Sequence, residues 1–303
     1  MNSNQINRRK FLEQSTLAAG ALAFGQGALF AAEPAAKRTA TDQVTLGKTG
    51  IKLSRLGFGT GSANGQTQRN LGQQRFNDLI HYAYDQGITY IDCAEAYATF
   101  DWIGGAIKGL PREKLFIQSK LRGKPNEVLA AIDHHRKVFD TDYVDSLLIH
   151  CMIKDGWTED FKHVMDAMDE AKDKKWIRAK GVSCHSLPAL RTAVASDWID
   201  VHLVRVNPQG RRTDGEEESV WNDDLHDITP VVAQLKNMRA RNRGVIGMKI
   251  IGNGEFLTPE DREKSIRFAM SRPELDAVVI GFKSQSEINE AIRRMNSALA
   301  EAA

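Results

Sequence analysis

Eight short apolar segments, separated by stretches of helical periodicity, limit the folds open to this chain more than any other feature. An apolar run of about four to eight residues is typical of a strand that is buried on both faces. The segments are residues 56–59, 89–92, 115–120, 143–150, 179–183, 201–206, 245–249 and 277–280. Strands that alternate with helices pair in parallel, and eight such units close on themselves. We therefore expect an α/β fold, a single-domain (β/α)8 TIM barrel.

The stretches between these segments place apolar residues three and four positions apart, as the outer helices of a barrel require. The clearest are residues 75–86, 161–174, 229–241 and 258–270. Residues 44–54 carry turn residues between two short alternating runs, which predicts an N-terminal β-hairpin that closes the barrel bottom. The longest irregular segment, residues 207–226, is polar, and it is a candidate substrate lid because long loops in compact domains are often functional. The segment and the side chains of Phe100, Trp102, Met152 and Trp221 are expected to line the pocket, although aromatic side chains equally fit packing against helices.

Length and composition agree with one globular barrel domain. The chain has 303 residues, of which 42% are hydrophobic and 26% charged, and such barrels run to roughly 250 residues as one unit. Without residues 1–32 the chain carries 38 basic and 38 acidic residues. This balance gives no reason to expect a nucleic-acid partner or binding to an acidic membrane surface.

The N-terminus has the composition of an export signal. Arg8 and Arg9 lie in NRRKFL, and an apolar, Ala- and Gly-rich run follows over residues 17–32. This order resembles a twin-arginine (Tat) signal peptide. It implies a leader at 1–32, a linker at 33–43, a barrel at 44–303, the Tat translocase as a partner and a periplasmic or extracellular location. The alternative is an ordinary basic tail, and the apolar run is short for a stable membrane span.

Three cysteines, Cys93, Cys151 and Cys184, are too few and too widely spaced for a disulfide framework or a CxxC zinc site. A disulfide between Cys151 and Cys184 is conceivable in an oxidising compartment if the geometry allows it. The paired histidines that a metal-dependent barrel hydrolase needs are missing. We therefore expect no metal and rank hydrolysis last among the candidate activities.

Four residues with proton-transfer chemistry stand where a TIM barrel places its reacting groups, at the carboxyl ends of strands. Asp92, Lys120 and His150 end three predicted strands, and Tyr97 lies five residues beyond Asp92. Tyrosine has an ordinary pKa of about 10, so a nearby cation must stabilise its anion for efficient use near neutrality. Lys120 can lower that pKa while Asp92 holds the lysine, and His150 can donate a hydrogen bond to a substrate oxygen. The set predicts proton delivery to a carbonyl oxygen.

These residues lie in the segments YIDCAEAY, LFIQSK and YVDSLLIH. In order, spacing and strand context the segments resemble motifs of the aldo-keto reductases, and the likeness spans about residues 44–295. The resemblance implies that Tyr97 is the general acid or base, that Lys120 and Asp92 tune it, and that His150 orients the carbonyl. It also implies hydride transfer between a nicotinamide cofactor and a small aldehyde, ketone or sugar, or its alcohol. Taken singly, each residue also has a purely structural interpretation.

Further segments resemble the cofactor site of that family, with two departures. Ser183 stands where a serine holds the nicotinamide amide, but Cys184 replaces the usual asparagine and Leu203 the usual glutamine. A thiol is a poorer hydrogen-bond partner than an amide. The cofactor contacts implied by the resemblance are Gly59, Thr60, Ser183, Cys184, Lys249, Gly252, Gly254, Gly281, Lys283 and Ser284. The glycines also fit simple turns.

The segment GFKSQSE bears on which nicotinamide cofactor is used. Lys283 and Ser284 fit a 2′-phosphate and favour NADP(H) over NAD(H), whereas a carboxylate at Glu287 would repel one. A different class of function stays open at this point: an exported nucleotide-binding accessory protein of the same fold with little turnover. Cys184 and Leu203 would suit that role.

Overall fold

The computed structural model describes residues 38–221 and 224–302. The strands in this part of the chain are β1 (Gln43–Thr45), β2 (Lys52–Ser54), β3 (Leu56–Gly59), β4 (Tyr90–Asp92), β5 (Phe116–Leu121), β6 (Val144–Met152), β7 (Ile177–Cys184), β8 (Val201–Arg205), β9 (Gly244–Met248) and β10 (Ala277–Gly281). The helices are α1 (Gln66–Arg69), α2 (Gln73–Asp85), α3 (Ile103–Ile107), α4 (Val128–Phe139), α5 (Trp157–Asp160), α6 (Lys162–Asp173), α7 (Leu187–Ala195), α8 (Thr229–Ala240), α9 (Pro259–Met270) and α10 (Gln285–Glu301).

Strands β3 to β10 form a closed parallel barrel in sequence order, with β10 paired to β3. The predicted (β/α)8 barrel is therefore confirmed, and each predicted strand matches an observed one to within two residues at either end. The predicted helices are found as α2, α6, α8 and α9. No helix in the described part of the chain is long and apolar enough to cross a membrane.

The predicted hairpin closes the lower end of the barrel. β1 pairs antiparallel with β2, and Leu46, Ile51 and Leu53 are buried against the side chains inside the barrel. The hairpin turn is anchored to the residue before β10, because the Gly47 amide donates to a carboxylate oxygen of Asp276 at 3.1 Å. Burying each of these leucines and the isoleucine contributes about 1.5–3 kcal/mol, which explains why the hairpin stays on the barrel.

Alternation along the strands decides which residues reach the barrel mouth. Tyr90 on β4 and Phe116 on β5 point into the barrel core, where their rings meet at a centroid distance of 5.1 Å. Because side chains of a strand alternate between two faces, Asp92 and Lys120, two and four residues later, also point inward. They therefore lie one or two layers higher, at the carboxyl end of the barrel.

Acidification is expected to destabilise the fold through a buried histidine outside the mouth. His202 on β8 is 2% exposed, and burial, aided by the charge of Arg243, lowers its pKa from 6.5 to about 3. Below the unfolded-state pKa the unfolded chain binds a proton that the folded chain rejects, so stability is lost as the pH falls. At about pH 5 this loss is at least about 1 kcal/mol for His202 alone, while most carboxylates remain ionised.

Urea unfolding midpoints of wild type and His202→Asn at about pH 7 and about pH 5 measure this effect. The variant should lose less stability between the two pH values than wild type does. Equal losses in the two proteins would show that His202 does not titrate as described.

Candidate active site

A buried ion pair forms the base of the site. The Lys120 ammonium donates to both carboxylate oxygens of Asp92, at 2.8 and 2.9 Å, and to the Cys93 carbonyl at 2.7 Å. Burial alone would lower the pKa of Lys120, but the charge of Asp92, followed by Tyr97, outweighs it and the net pKa is raised. Gln118 adds a donor to Asp92 at 2.9 Å. Lys120 is thus a permanent cation at the barrel mouth.

Tyr97 and His150 complete the group above this pair. The Tyr97 ring centroid lies 5.0 Å from Lys120 Nζ and 5.7 Å from the His150 ring centroid, with the two rings at 80°. Tyr97 reaches this place because the loop after β4 turns back, its amide donating to the Ala94 carbonyl at 3.0 Å. All four predicted catalytic residues therefore meet at one end of the barrel.

Burial and the Lys120 charge act on the pKa of Tyr97 in opposite directions. Burial raises the pKa of Tyr97 to about 12, although the charge of Lys120 acts to lower it. The predicted effect of Lys120 is present, and burial of the phenol is the larger contribution. Tyr97 therefore carries its proton at neutral pH.

His150 is neutral in this setting. Burial, then the charges of Lys120 and Lys249, lower the pKa of His150 to about 3. A neutral imidazole has one N–H donor and one acceptor nitrogen. His150 can therefore donate one hydrogen bond to an oxygen in the mouth without competing as a proton source.

An irregularity in β6 sets the direction of His150. Pairing with β7 shifts between Ile149 and Met152, and Cys151 has a left-handed backbone with φ of 60°. Such a bulge re-aims neighbouring side chains, and a left-handed non-glycine residue costs roughly 1–2 kcal/mol. The Cys151 amide is held by donation to the Ser183 hydroxyl at 3.0 Å. Ser183 thus fixes the strand end that carries His150.

Comparison with known proteins agrees with this arrangement. The model of the aldo/keto reductase family matches residues 55–265, more than half of the chain. The chain belongs to this family. An NAD/NADP-dependent indole-3-acetaldehyde reductase of Schizosaccharomyces pombe is 27% identical over 173 residues, which cover 53% of this chain and 58% of that protein.

Two further relatives extend the comparison. A 7-acetyl-epi-neemfruitin B aldo-keto reductase of Melia azedarach is 31% identical over 197 residues, 57% of this chain and 59% of that protein. The chain thus spans about three fifths of the length of these two curated relatives. The holo form of an aldo-keto reductase from Bacillus halodurans has a TM-score of 0.66 at 15% identity, covering 88% of this chain and 97% of the other. That likeness shows the shared fold.

Two residues of the predicted cofactor set hold this four-residue group from within the chain. Thr60 is fully buried, and its hydroxyl donates to the Asp92 carbonyl at 3.0 Å. Gly59 ends β3 beside Asp92, its partner in the parallel register. Thr60 and Gly59 therefore position the base of the site, whatever contact they make with a cofactor.

The predicted nicotinamide contacts face in different directions. Ser183 is inward-facing at the top of β7, next to the mouth, whereas Cys184 is 1% exposed and belongs to the core between barrel and helices. Leu203 is the partner of Ser183 in the parallel register and is buried inside the barrel. The next inward residue of β8 is Arg205, two positions later. Sequence reasoning missed Arg205, although the alternation in VHLVR could have found it.

Arg205 holds the loop after β8. Its Nε donates to Asp214 at 2.5 Å, with the carboxylate fully buried and the guanidinium nearly so. Its Nη atoms donate to the carbonyls of His185 and Val220. Burial raises the pKa of Asp214, and Arg205 opposes that rise. The segment predicted as a lid is thus tied to the barrel by a buried ion pair.

The phosphate-binding residues predicted from sequence fall into two groups. Gly254 has φ of 95° and no atom within 4 Å of where a side chain would be, so its backbone is open. Side chains added at Gly252 and Gly281 would instead strike Phe256 and Ser62. Packing within the chain therefore explains Gly252 and Gly281, and the left-handed turn explains Gly254.

Three of the aromatic and sulfur side chains expected near substrate are placed elsewhere. Phe100 is buried against His135 at a ring distance of 4.9 Å, and Met152 is in the core between barrel and helices. Trp102 lies under the Arg69 guanidinium, 3.9 Å from its ring centroid. All three side chains pack in or against the core between the barrel and its helices. Of this expected set, Trp221 alone is half exposed near the mouth, 5.8 Å from Lys249 Nζ.

The cysteines are free thiols in the structure. Cys151 Sγ lies 3.5 Å from His185 Nε2, and Cys93 is fully buried. Among the described residues, no group of three or more His, Cys, Asp or Glu side chains could hold a metal ion.

Replacing Gly61 by alanine is expected to lower kcat about 100-fold by moving Tyr97. A Cβ at Gly61 would overlap the Cε2 and Cζ atoms of the Tyr97 ring and lie 2.8 Å from its Oη. The ring must therefore leave its present position beside Lys120 and His150. Steady-state kinetics with a saturating aldehyde measure the loss.

Gly105→Ala is the matched control for this substitution. Gly105 lies in helix α3, and its added Cβ would meet only the flexible side-chain ends of Gln73, at 3.1 Å, and Asn77, at 3.8 Å. We expect a kcat within about twofold of wild type for the control. Equal kcat for Gly61→Ala and wild type would show that kcat does not depend on the position of the Tyr97 ring.

Proposed function

We propose that this protein is an NAD(P)(H)-dependent oxidoreductase that interconverts a small aldehyde or ketone and its alcohol, with Tyr97 as general acid and base. One observation carries the proposal: Tyr97 and His150 stand ring to edge above a fully paired Lys120 cation. This arrangement suits proton transfer to or from an oxygen.

The residues present fit an anionic dinucleotide. Gly254 offers an open left-handed backbone, Ser284 caps the first turn of α10, and Lys283 adds an exposed cation beside it. Backbone amides at a helix start and a nearby lysine are typical phosphate contacts. We propose that these residues, with Ser183 at the mouth, hold the nicotinamide cofactor, which when bound supplies or accepts the hydride.

Residues of the chain donate and accept the proton. With its pKa raised, Tyr97 keeps the phenolic proton at neutral pH and donates it from Oη to the carbonyl oxygen in the reducing direction. Lys120 then stabilises the phenolate, and Asp92 keeps Lys120 charged and in place. Neutral His150 donates a hydrogen bond to the same oxygen. In the oxidising direction the phenolate takes the proton back.

Cofactor binding followed by turnover tests this proposal. A protein lacking residues 1–32 is titrated with NADH and NADPH while tryptophan fluorescence is followed, and is then assayed with a panel of small aldehydes. We expect saturable binding in the micromolar range and consumption of reduced cofactor with at least one aldehyde. Saturable binding of neither nucleotide to folded, cofactor-free protein would overturn the proposal.

The cofactor preference depends on a contact within the chain, between Lys283 and Glu287 at the start of α10. The Glu287 carboxylate accepts from the Lys283 amide at 2.9 Å and lies 3.8 Å from the Lys283 ammonium. Glu287 therefore occupies the Lys283 donors that the sequence analysis assigned to a 2′-phosphate. That assignment was the reason for favouring NADP(H). We propose that the chain uses both NAD(H) and NADP(H) and that Glu287 limits its affinity for NADPH.

The substitution Glu287→Gln should strengthen NADPH binding about tenfold and leave NADH binding within about twofold, since it removes a charge that repels only the phosphate. Fluorescence titrations with both nucleotides give the two Kd values. Glu290→Gln, on the same helix but paired with Arg262 and Arg294, is the control. If the ratio of the two Kd values is unchanged in Glu287→Gln, Glu287 does not set the preference.

We also propose that residues 1–32 are a Tat-type leader that delivers the protein to the periplasm. These residues lie outside the part of the chain that the structure describes, and the paired Arg8 and Arg9 support the proposal. Cell fractionation of wild type and an Arg8→Lys/Arg9→Lys variant tests it. The wild type should be periplasmic and the variant retained in the cytoplasm, and equal distribution of the two would contradict the proposal.

A further inference from the structure

Lys249 stands at the barrel mouth in a strained and well-held position. It directly follows β9 and has a left-handed backbone with φ of 61°. Its carbonyl accepts from the Asn207 side chain at 3.1 Å, and its ammonium donates to the Asn253 amide oxygen at 2.8 Å. Backbone strain at a non-glycine residue costs roughly 1–3 kcal/mol and clusters at ligand sites. The Lys249 ammonium lies 5.8 Å from the Trp221 ring centroid.

Lys249 differs from the other cations of the mouth in its partners. Lys120 is paired with Asp92, and Arg205 with Asp214. In the described part of the chain, no carboxylate lies within 4.0 Å of the Lys249 ammonium, whose hydrogen bond goes to a neutral amide. Burial, followed by the charge of Arg205, lowers the pKa of Lys249 to about 8. An anion beside Lys249 would complete the charge balance of the mouth.

The Lys249 charge reaches both parts of the mouth. Its ammonium bonds to Asn253, which lies between Gly252 and Gly254 in the loop assigned to the nucleotide. Besides Arg205, its electrostatic neighbours include Cys151 on β6 and Lys120 on β5, and it acts in turn on the pKa of His150. Trp221, the ring next to the ammonium, belongs to the segment predicted as a substrate lid. A negative group near Lys249 can therefore belong to the carbonyl substrate.

We propose that the Lys249 ammonium binds a carboxylate carried by the carbonyl substrate, so that the preferred substrates are aldehydes or ketones with an acid group. The inference rests on the proposed function and adds its substrate class. The sequence assigned Lys249 to the cofactor, and the cofactor pyrophosphate is the other source of anionic oxygens. The experiment must separate these two sources.

Two pairs of aldehydes, matched in size, test the substrate charge. One pair is succinic semialdehyde and butanal, and the other is para-carboxybenzaldehyde and para-tolualdehyde. The wild type should show a higher kcat/KM for the acid member of at least one pair. Lys249→Met should raise the KM for that acid about ten- to a hundredfold, with the KM for its neutral partner and the Kd for NADH and NADPH within about twofold.

Lys154→Met is the control, because Lys154 is an exposed cation in the loop after β6 at the same end of the barrel. It should leave all these constants near wild type. A rise in nucleotide Kd in Lys249→Met would assign the ammonium to the pyrophosphate and overturn the inference. Equal changes for acid and neutral aldehydes, or a wild-type preference for the neutral members, would overturn it as well.

A binding measurement keeps the inference testable without turnover. Calorimetric titration of the protein, alone and with nucleotide, with succinate and terephthalate should show binding that Lys249→Met loses and Lys154→Met retains. Absence of binding by these dianions to wild type would overturn the inference. Nucleotide binding and reduction of neutral aldehydes test the proposed function separately. Failure of the inference is therefore distinguishable from failure of the proposed function.

Discussion

Tyr97→Phe is expected to lower kcat for carbonyl reduction about 10²- to 10⁴-fold, because it removes the proton donor and leaves the ring in place. The phenol is buried next to Lys120, which remains paired with Asp92 in the variant. The Kd of the nucleotide should stay within about twofold, and the free energy of unfolding within about 1 kcal/mol. Steady-state kinetics, fluorescence titration and urea unfolding measure the three quantities.

Tyr82→Phe serves as the matched control for Tyr97→Phe. The Tyr82 hydroxyl donates to Asn289 at 2.9 Å on the outer surface, so its loss should leave kcat unchanged. Wild-type turnover in Tyr97→Phe would mean that another group supplies the proton. Nucleotide binding without any turnover in wild type would instead favour the accessory-protein hypothesis.

Asp214→Asn is expected to reduce the free energy of unfolding by about 3–5 kcal/mol, the cost of leaving a buried charge without its partner. The guanidinium of Arg205 is buried, and its other acceptors are the carbonyls of His185 and Val220. The loop after β8 should also loosen, since this ion pair ties it to the barrel. Urea unfolding gives the stability, and the rate of limited proteolysis at the loop reports its release.

Two controls separate burial from charge in this experiment. Glu216→Gln removes an acid of the same loop that pairs with Arg191 in solvent, and it should cost no more than about 1 kcal/mol. Replacing both partners, as Arg205→Met with Asp214→Leu, should recover part of the stability lost by Asp214→Asn. Similar losses for Asp214→Asn and Glu216→Gln would contradict the assignment of a buried ion pair.

The sequence by itself determined the barrel and the approximate place of its mouth. Strand and helix periods are local properties, and eight apolar segments with helices between them leave few other folds. The bounds of the apolar segments also placed Asp92, Lys120 and His150 at the carboxyl ends of strands, so that closure of the barrel had to bring them to one face. Closure and proximity therefore followed from spacing along the chain.

The tertiary structure decided the contacts that join distant loops and the protonation states that depend on burial. The pairing of Arg205 with Asp214 and the outward turn of Phe100 are set by how loops pack on strands, which spacing does not encode. The rise in the pKa of Tyr97 depends on how completely the folded chain removes water around the phenol. Local periodicity carries no information on that quantity, because desolvation is a property of the assembled mouth.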